Sequence, residues 1–110
     1  MFSVKGSIWI ESNKGAFIGM GRVILLEKIE EHGSITVAAK SMKMSYRQAW
    51  ELVNSMNKQS KQPLVIASSG GAGGGGTKVT KEGKKIIDLF KSMNERFHKF
   101  NEEESKKLKI

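Results

Sequence analysis

The sequence predicts a single α+β domain, mostly α-helical, in which short strands accompany three helices and a long helix follows at the end. Three observations predict this class. Apolar residues recur at helical spacing between residues 21 and 60 and again after residue 81, a glycine-rich segment separates two short β-type runs, and Ser or Thr precedes each of the later helices. A chain of 110 residues suits one domain with one modest core.

The N-terminal part contains two short extended runs around a turn. Residues 7–12 and 16–18 have strand-type side chains, and Asn13-Lys14-Gly15 between them is a turn signal. We expect residues 1–110 to form one domain. Its predicted parts are N-terminal strands at 1–20, helices one to three at 21–60, a β-hairpin wing at 63–80, a long helix at 81–101 and a charged, fraying tail at 102–110.

The first predicted helix is scaffold rather than contact surface. Its apolar stripe comprises Val23, Leu25, Leu26 and Ile29. The helix is expected to stop at Gly33, and Glu27, Glu30 and Glu31 are expected to face water. An acidic outer face of this kind would repel phosphate groups.

The next two helices are joined by a tight turn, and each begins at a serine. Ser34 can cap a helix that runs to about Met42, and Ser45 opens a capping box with Gln48. The stripe that we expect to face the core of the third helix comprises Tyr46, Ala49, Trp50, Val53 and Met56. A helix, a tight turn and a capped helix with a polar outer face are typical of the helix-turn-helix motif.

After Pro63, the runs Leu64–Ile66 and Thr77–Thr80 predict a hairpin, and Thr80 can cap the last helix. That helix carries a stripe with coiled-coil spacing, namely Ile86, Phe90, Met93, Phe97 and Phe100. Packing on its own domain and pairing with a second chain are both compatible with this stripe. A small core cannot easily cover its far end, which favours a homodimer through the C-terminal helix and a palindromic binding site.

Positive charge is concentrated in the middle of the chain. Residues 34–91 carry ten Lys and Arg against three Asp and Glu, whereas residues 1–33 are balanced and residues 92–110 have a net charge of +1. This distribution is typical of a surface that binds a polyanion, although a solvated basic surface without a partner would look the same.

The first turn of the third helix offers side chains that can read DNA bases. Arg can bind guanine and Gln can bind adenine through paired hydrogen bonds, and one α-helix fits the major groove. We therefore predict a winged helix-turn-helix fold that binds double-stranded DNA. The candidate DNA-binding residues are Ser34, Thr36, Lys43, Ser45, Tyr46, Arg47, Gln48, Glu51, Lys58, Ser69, Thr77 and Lys78.

Catalytic, metal and membrane functions find no support in the sequence. The chain has no Cys, and neither His32 nor His98 has a suitably spaced carboxylate partner. We predict no catalytic residue, no metal site and no cofactor, and therefore not an enzyme. Apolar runs stay far below the roughly 18 residues of a membrane span, so we expect no membrane partner and a cytoplasmic location.

The glycine-rich loop has two open interpretations. The order Gly76-Thr77-Lys78 reverses that of a phosphate-binding P-loop, which argues against a nucleotide site. The loop either follows a DNA backbone or is a plain flexible connection, and Lys81, Lys84 and Lys85 are either phosphate contacts or solvated side chains. The alternative function is a protein-interaction adaptor that keeps the fold without specific DNA reading, and the hydrophobic last helix is the feature that favours it.

The residues also resemble a known family. GRVILLEKIEEHGSITVAAKSMKMSYRQAWELVNSMN, PLV, GGAGGGGTKVT and KEGKKIIDLF resemble the N-terminal DNA-binding domain of ModE-type molybdate-responsive transcriptional regulators, and IWIESNKGAFIGMGR resembles the start of that domain. The resemblance covers nearly all of residues 7–97. It implies a winged helix domain, related to LysR-type N-terminal domains, that dimerises and controls genes for molybdate uptake and molybdoenzymes.

Two departures from the family pattern matter. Family members carry C-terminal molybdate-binding domains, for which a chain ending at residue 110 leaves no room, so the chain is either a domain-only member or a fragment of a longer protein. The molybdate response is therefore not carried over from the family, and the small-molecule effector is unknown. The family also has Gly in the helix–helix turn where Lys43 stands. If that position has positive φ, Lys43 costs about 1 kcal/mol, and its ammonium group is available for a phosphate contact.

Overall fold

The computed structural model describes the backbone of residues 1–71 and 74–110 and the side chains outside residues 69–75. Its elements are β1 (Trp9–Ser12), β2 (Gly15–Gly19), α1 (Met20–His32), α2 (Ile35–Ser41), α3 (Tyr46–Gln59), β3 (Val65–Gly71), β4 (Gly74–Val79) and α4 (Lys81–Lys106). β1 pairs with β2 and β3 pairs with β4, each pair antiparallel and in its own sheet. The predicted mostly α-helical α+β fold, with a hairpin wing and a long last helix, is confirmed.

α1 forms the centre of the core because four of its side chains have no contact with solvent. These are the predicted Val23, Leu25, Leu26 and Ile29. The helix contacts α2, α4, β2 and β4, so burial of its apolar side chains, at about 1.5–3 kcal/mol each, holds the domain together. It ends at Gly33, whose φ of +67° is the left-handed conformation that glycine adopts without strain.

The three predicted N-caps are confirmed. The hydroxyl oxygen of Ser34 accepts a hydrogen bond from the Val37 N–H at 3.1 Å, and that of Ser45 accepts one from the Gln48 N–H at 3.0 Å. Thr80 accepts from the Gly83 N–H at 3.0 Å. Each cap satisfies one otherwise unpaired helix donor, and loss of such a cap typically costs about 1 kcal/mol.

The turn between α2 and α3 places a lysine in the left-handed region. Lys43 has φ +56°, so the positive φ considered for this position is present in the structure. The Met44 N–H bonds the Ala39 carbonyl at 3.0 Å and the Lys43 N–H bonds the Lys40 carbonyl at 3.1 Å. These two bonds form a Schellman motif, in which glycine usually occupies the left-handed position.

α4 begins in direct contact with the wing. A Cβ atom on Gly83 would lie 2.5 Å from the Leu64 carbonyl oxygen and 2.6 Å from Val79 Cγ1, so the absence of a side chain allows this approach. The Thr80 N–H bonds the Leu64 carbonyl at 2.9 Å, and the Thr80 hydroxyl donates to the Pro63 carbonyl at 2.7 Å. The start of α4 is therefore fixed to both strands of the wing.

Phe90 does not face a second chain, contrary to the prediction. Its side chain is fully buried beside Ile87 in the core of its own domain, which makes it a core residue. The rest of the predicted seam is less covered, since Ile86, Met93 and Phe97 are half-buried and Phe100 is 52% exposed.

The predicted frayed tail also begins too early. α4 continues beyond residue 101 to Lys106. Residues 102–106 are good helix formers, and the N-terminal segment packs on this part of the helix, where the Val4 N–H donates to Ser105 Oγ at 2.7 Å. A tertiary contact from the far end of the chain, which the local sequence does not reveal, therefore extends the helix.

Candidate nucleic-acid interface

α3 turns its entire N-terminal turn to solvent. Ser45, Tyr46, Arg47 and Gln48 are all exposed. The opposite side of the helix buries Ala49, Val53 and Met56. The side chains of Ala38 and Ala39 on α2 are also buried, and small side chains at a helix crossing let the backbones approach closely. The helix-turn-helix is thus packed on the core through one side of α3, while the opposite side, which includes Ser45 to Gln48, is exposed to solvent.

The expectation that Tyr46 and Trp50 face the core is wrong. Tyr46 is 53% exposed and Trp50 is 46% exposed, and Val37 on α2 is exposed as well. The buried side of α3 consists of Ala49, Val53 and Met56, a narrower stripe than the predicted one. Trp50, which was not among the candidate DNA-binding residues, therefore joins Tyr46 on the solvent face.

Arg47 is held along α3 by an ion pair. Its Nε lies 3.2 Å from Glu51 Oε1, one helical turn later. Arg47 is 88% exposed, and a pair this open to water contributes little to stability. The guanidinium group can therefore exchange the Glu51 carboxylate for another acceptor at little cost.

The predicted contacts on α2 and its turn surround this face. Thr36 and Lys43 are exposed, whereas Ser34 is half-buried and uses its hydroxyl oxygen as the cap of α2. The carbonyl of Gly33, just before Ser34, accepts a hydrogen bond from the Thr77 N–H at 3.0 Å. This bond places the start of α2 beside strand β4 of the wing.

One predicted wing contact has to be corrected. The Thr77 hydroxyl is buried and has no hydrogen-bond partner among the described residues, so it is not presented to a DNA strand. Lys78 alternates to the other face of β4 and is exposed. The side chain of Ser69 lies outside the described residues.

The β1–β2 hairpin packs against the last turns of α3, an arrangement that the sequence did not indicate. Gln59 Nε2 donates to the Ala16 carbonyl at 2.8 Å, and its amide oxygen bonds the Ser12 hydroxyl. Arg22 Nη1 lies 3.1 Å from the same Ala16 carbonyl and 3.2 Å from Ser55 Oγ. Partial burial lowers the pKa of Arg22 from its ordinary value. The hairpin is thus fixed to α3 by polar contacts.

Two lysines of α4 are occupied by the acidic face of α1. Lys91 Nζ lies 2.9 Å from Glu27 and Lys84 Nζ lies 3.5 Å from Glu30, so these glutamates do not simply face water. The hydrogen bond and the charge of Glu27 raise the pKa of Lys91 above its ordinary value. Of the three lysines considered as phosphate contacts at the start of α4 (Lys81, Lys84 and Lys85), Lys84 therefore forms an ion pair within the domain.

Lys58 and Glu51 complete the predicted residues on α3. Lys58, in the last turn of α3, is exposed on the same side as Glu51, which is also exposed. In the described part of the chain, no group of three His, Asp or Glu side chains could hold a metal ion. None of the helices described is long and apolar enough to cross a membrane.

Curated proteins include clear relatives of this chain. It is 34% identical over 84 residues to the molybdenum transport protein ModE of Azotobacter vinelandii and 38% identical over 81 residues to the transcriptional regulator ModE of Haemophilus influenzae. It is 42% identical over 69 residues to the DNA-binding transcriptional dual regulator ModE of Escherichia coli. No protein-family model matches the chain.

The similarity covers most of this chain and a minor part of each relative. The three alignments include 76%, 74% and 63% of this chain, but 31%, 32% and 26% of the respective relatives. The chain therefore spans less than a third of the length of the relatives it matches. Identities of 34–43% over such stretches indicate common ancestry. Over about three quarters of its length, this chain is a relative of the ModE-type transcriptional regulators.

Proposed function

We propose that this chain is a sequence-specific DNA-binding transcriptional regulator that acts as a homodimer. The observation that carries the proposal is the exposed first turn of α3, from Ser45 to Gln48, on a helix whose opposite side is buried in the core. Helix-turn-helix proteins insert this part of the corresponding helix into the major groove. The printed name of the Escherichia coli relative, a DNA-binding regulator, supports the same function.

Base reading is assigned to four side chains on the front of α3. Arg47 would leave Glu51 and bind guanine through two parallel hydrogen bonds, and Gln48 would bind adenine in the same way. The exposed rings of Tyr46 and Trp50 supply apolar contact surface, which in the major groove meets the methyl group of thymine. Each good pair of hydrogen bonds contributes about 1–3 kcal/mol of discrimination.

Backbone contacts are assigned to residues around this helix. Lys43 in the turn, Lys58 at the end of α3 and Lys78 on the wing are exposed and carry the charge that phosphate groups require. Thr36 and Ser34, at the start of α2, offer a hydroxyl group next to the wing. These contacts orient the domain on DNA but carry no sequence information themselves.

Dimerisation is assigned to the apolar line of α4 that its own domain covers only in part. Without the buried Phe90, this line comprises Ile86, Leu89, Met93, Phe97 and Phe100. Leu89 replaces Phe90 because it is exposed and lies beside Met93 on the helix surface. A two-fold dimer through this line would present two α3 helices to a palindromic site with half-sites about one helical turn apart.

The proposal is tested by selecting duplexes from a randomised palindromic library and measuring their binding by fluorescence anisotropy. Arg47→Ala is expected to weaken binding to the selected duplex by about 1–3 kcal/mol per half-site, at 1.4 kcal/mol per tenfold change. Arg47→Lys keeps the charge but loses the planar fork, so it should retain binding to unselected DNA and lose discrimination. Lys109→Gln, on the exposed last residues, serves as the control for a change of charge.

A library that yields no enriched sequence would refute the proposal and favour the protein-interaction adaptor. The dimer is tested separately by sedimentation equilibrium. Phe100→Ser should shift the protein towards monomer, whereas Lys99→Ser on the same turn should leave the association unchanged. From the name of the Azotobacter vinelandii relative, we further propose that the regulated genes serve molybdenum transport. Recovery of such promoters in a genomic pull-down would support that assignment.

A further inference from the structure

The tip of the β1–β2 hairpin stands next to the DNA-facing side of α3. Lys14 lies in the turn between β1 and β2, where its N–H donates to Ser12 Oγ at 3.0 Å and its side chain is exposed. Between this tip and α3 is an open groove of about 280 Å³. The groove is lined by Lys14, Glu51, Asn54, Ser55, Lys58 and Gln59.

Side-chain hydrogen bonds from α3 and α1 hold the hairpin tip in position. Gln59 holds both the Ala16 carbonyl and the Ser12 hydroxyl, one on each strand of the hairpin. Arg22 bonds the Ala16 and Phe17 carbonyls and reaches Ser55 of α3 at 3.2 Å. Because both strands are tied to the last turns of α3, the hairpin and α3 keep their relative orientation when the domain docks.

The groove shares its α3 residues with the proposed DNA-binding face. Glu51, Asn54 and Lys58 follow Arg47 at intervals of four, three and four residues, so they continue the same side of the helix. The charged groups that line the groove are Lys14, Lys58 and Glu51, whose carboxylate pairs with Arg47 in the free domain, so the lysines outnumber the carboxylate even when Arg47 leaves Glu51. Two ammonium groups beside an amide side chain suit a phosphate group.

We infer that Lys14, on the N-terminal hairpin, is a phosphate-binding residue that contacts the DNA backbone together with Lys58. The inference rests on the proposed function, since it assumes that α3 occupies the major groove. An α-helix with its side chains is about 10–12 Å wide and therefore fills the DNA major groove, which is about 12 Å wide. A side chain that projects from a segment beside the helix, such as the hairpin tip, would then meet the sugar-phosphate backbone at the edge of the groove. Lys43 stands before the start of α3, whereas the hairpin tip stands beside its C-terminal half.

The test compares the salt dependence of binding to a labelled mixed-sequence duplex for the full chain and for Lys14→Gln. Each lost phosphate contact lowers the slope of log K against log salt by about 0.9, so a dimer should lose about 1.8. Affinity for a selected duplex and for the mixed-sequence duplex should fall by the same factor, because a backbone contact does not read sequence. Lys14→Arg should restore the slope, and Lys109→Gln should leave it unchanged.

The outcomes separate this inference from the function on which it rests. If the unmodified chain shows no salt-dependent DNA binding, the proposed function fails and the hairpin contact fails with it. If the unmodified chain binds normally and Lys14→Gln has the same slope as Lys109→Gln, the inference alone is overturned. An unchanged far-ultraviolet circular dichroism spectrum of Lys14→Gln excludes misfolding, which an exposed turn residue should not cause.

Discussion

Lys43 combines a left-handed backbone with an exposed charge for which we propose a DNA contact, and Lys43→Gly removes both. The left-handed conformation costs an L-residue about 1–2 kcal/mol, and glycine adopts it freely. Glycine also makes the unfolded chain more flexible, which offsets about 0.4–1 kcal/mol of that gain. The Schellman hydrogen bonds from Lys43 and Met44 involve backbone atoms only and remain in the variant. We therefore expect Lys43→Gly to stabilise the domain by about 1 kcal/mol.

The assay is urea unfolding followed by circular dichroism, with thermal unfolding as a second measurement. A gain of 1 kcal/mol corresponds to a rise in Tm of about 4–8 °C for a domain near this size. All variants must be compared at one protein concentration, because the proposed dimerisation would make apparent stability depend on it. Lys43→Ala removes the same side chain without freeing φ, so its stability should not rise. Lys40→Gly, within α2, should destabilise the domain by about 1 kcal/mol.

The same variant should bind DNA less tightly. If Lys43 contacts phosphate, its loss reduces the slope of log K against log salt by about 0.9 per protomer while stability increases. A protein that becomes more stable and binds more weakly would show that strain at this position is retained for function. The reasoning is refuted if Lys43→Gly is no more stable than Lys43→Ala, because the left-handed backbone would then carry no cost.

The remaining predictions concern a cap, the core and an ion pair. Ser45→Ala should destabilise the domain by about 0.5–2 kcal/mol in urea unfolding, whereas Ser45→Asp should restore the cap; equal loss in both variants would contradict this. Phe90→Ala should cost about 3–5 kcal/mol, and a far smaller loss would show that Phe90 is not core. The pKa of Lys91 is raised by Glu27, so the pair stabilises the fold below pH 10.5 and is lost as the pH rises through the folded-state pKa. Glu27→Gln should reduce that alkaline loss in urea midpoints measured across the range, and an unchanged loss would exclude the pair as its source.

Local signals predicted the starts of three helices and the end of α1 correctly, whereas the wing strands β3 and β4 extend further into the glycine-rich segment than predicted. Ser34, Ser45 and Thr80 cap their helices, and Gly33 ends α1, because cap geometry depends on a few adjacent residues. The end of α4 was placed too early because the contact between Val4 and Ser105 joins distant parts of the chain. Long-range contacts of this kind leave no local pattern in one sequence.

Periodicity predicted which helices are amphipathic but not the width or direction of their buried face. On α3 it placed Tyr46 and Trp50 in the core, although the buried stripe is narrower and consists of Ala49, Val53 and Met56. On α4 it selected a seam through Phe90, whereas the buried line runs through Gly83, Ile87 and Phe90 towards Asn101. The partly exposed apolar line from Ile86 to Phe100 lies beside the buried line. Hydrophobic residues therefore occupy two neighbouring faces of α4, and the 4-3 spacing alone does not show which face is buried.

The candidate site was predictable where it lies on one helix and not where distant segments meet. Ser45, Arg47 and Gln48 follow from the first turn of α3 alone. The position of Lys14 depends on contacts between β2 and α3 that are separated by some forty residues, as in the bond from Gln59 to Ala16 (a separation of 43). Similarly, the burial of the Thr77 hydroxyl results from the approach of β4 to the end of α1.

The close packing at Gly83 has a mechanical consequence. Because the first turn of α4 touches both Leu64 and Val79, the base of the wing is in close contact with the long helix that carries Phe100. A rotation of the far end of α4 would therefore reach the wing and, through the bond between Thr77 and Gly33, the start of α2. In the proposed dimer, the distance between the two α3 helices would thus depend on how the two α4 helices pack.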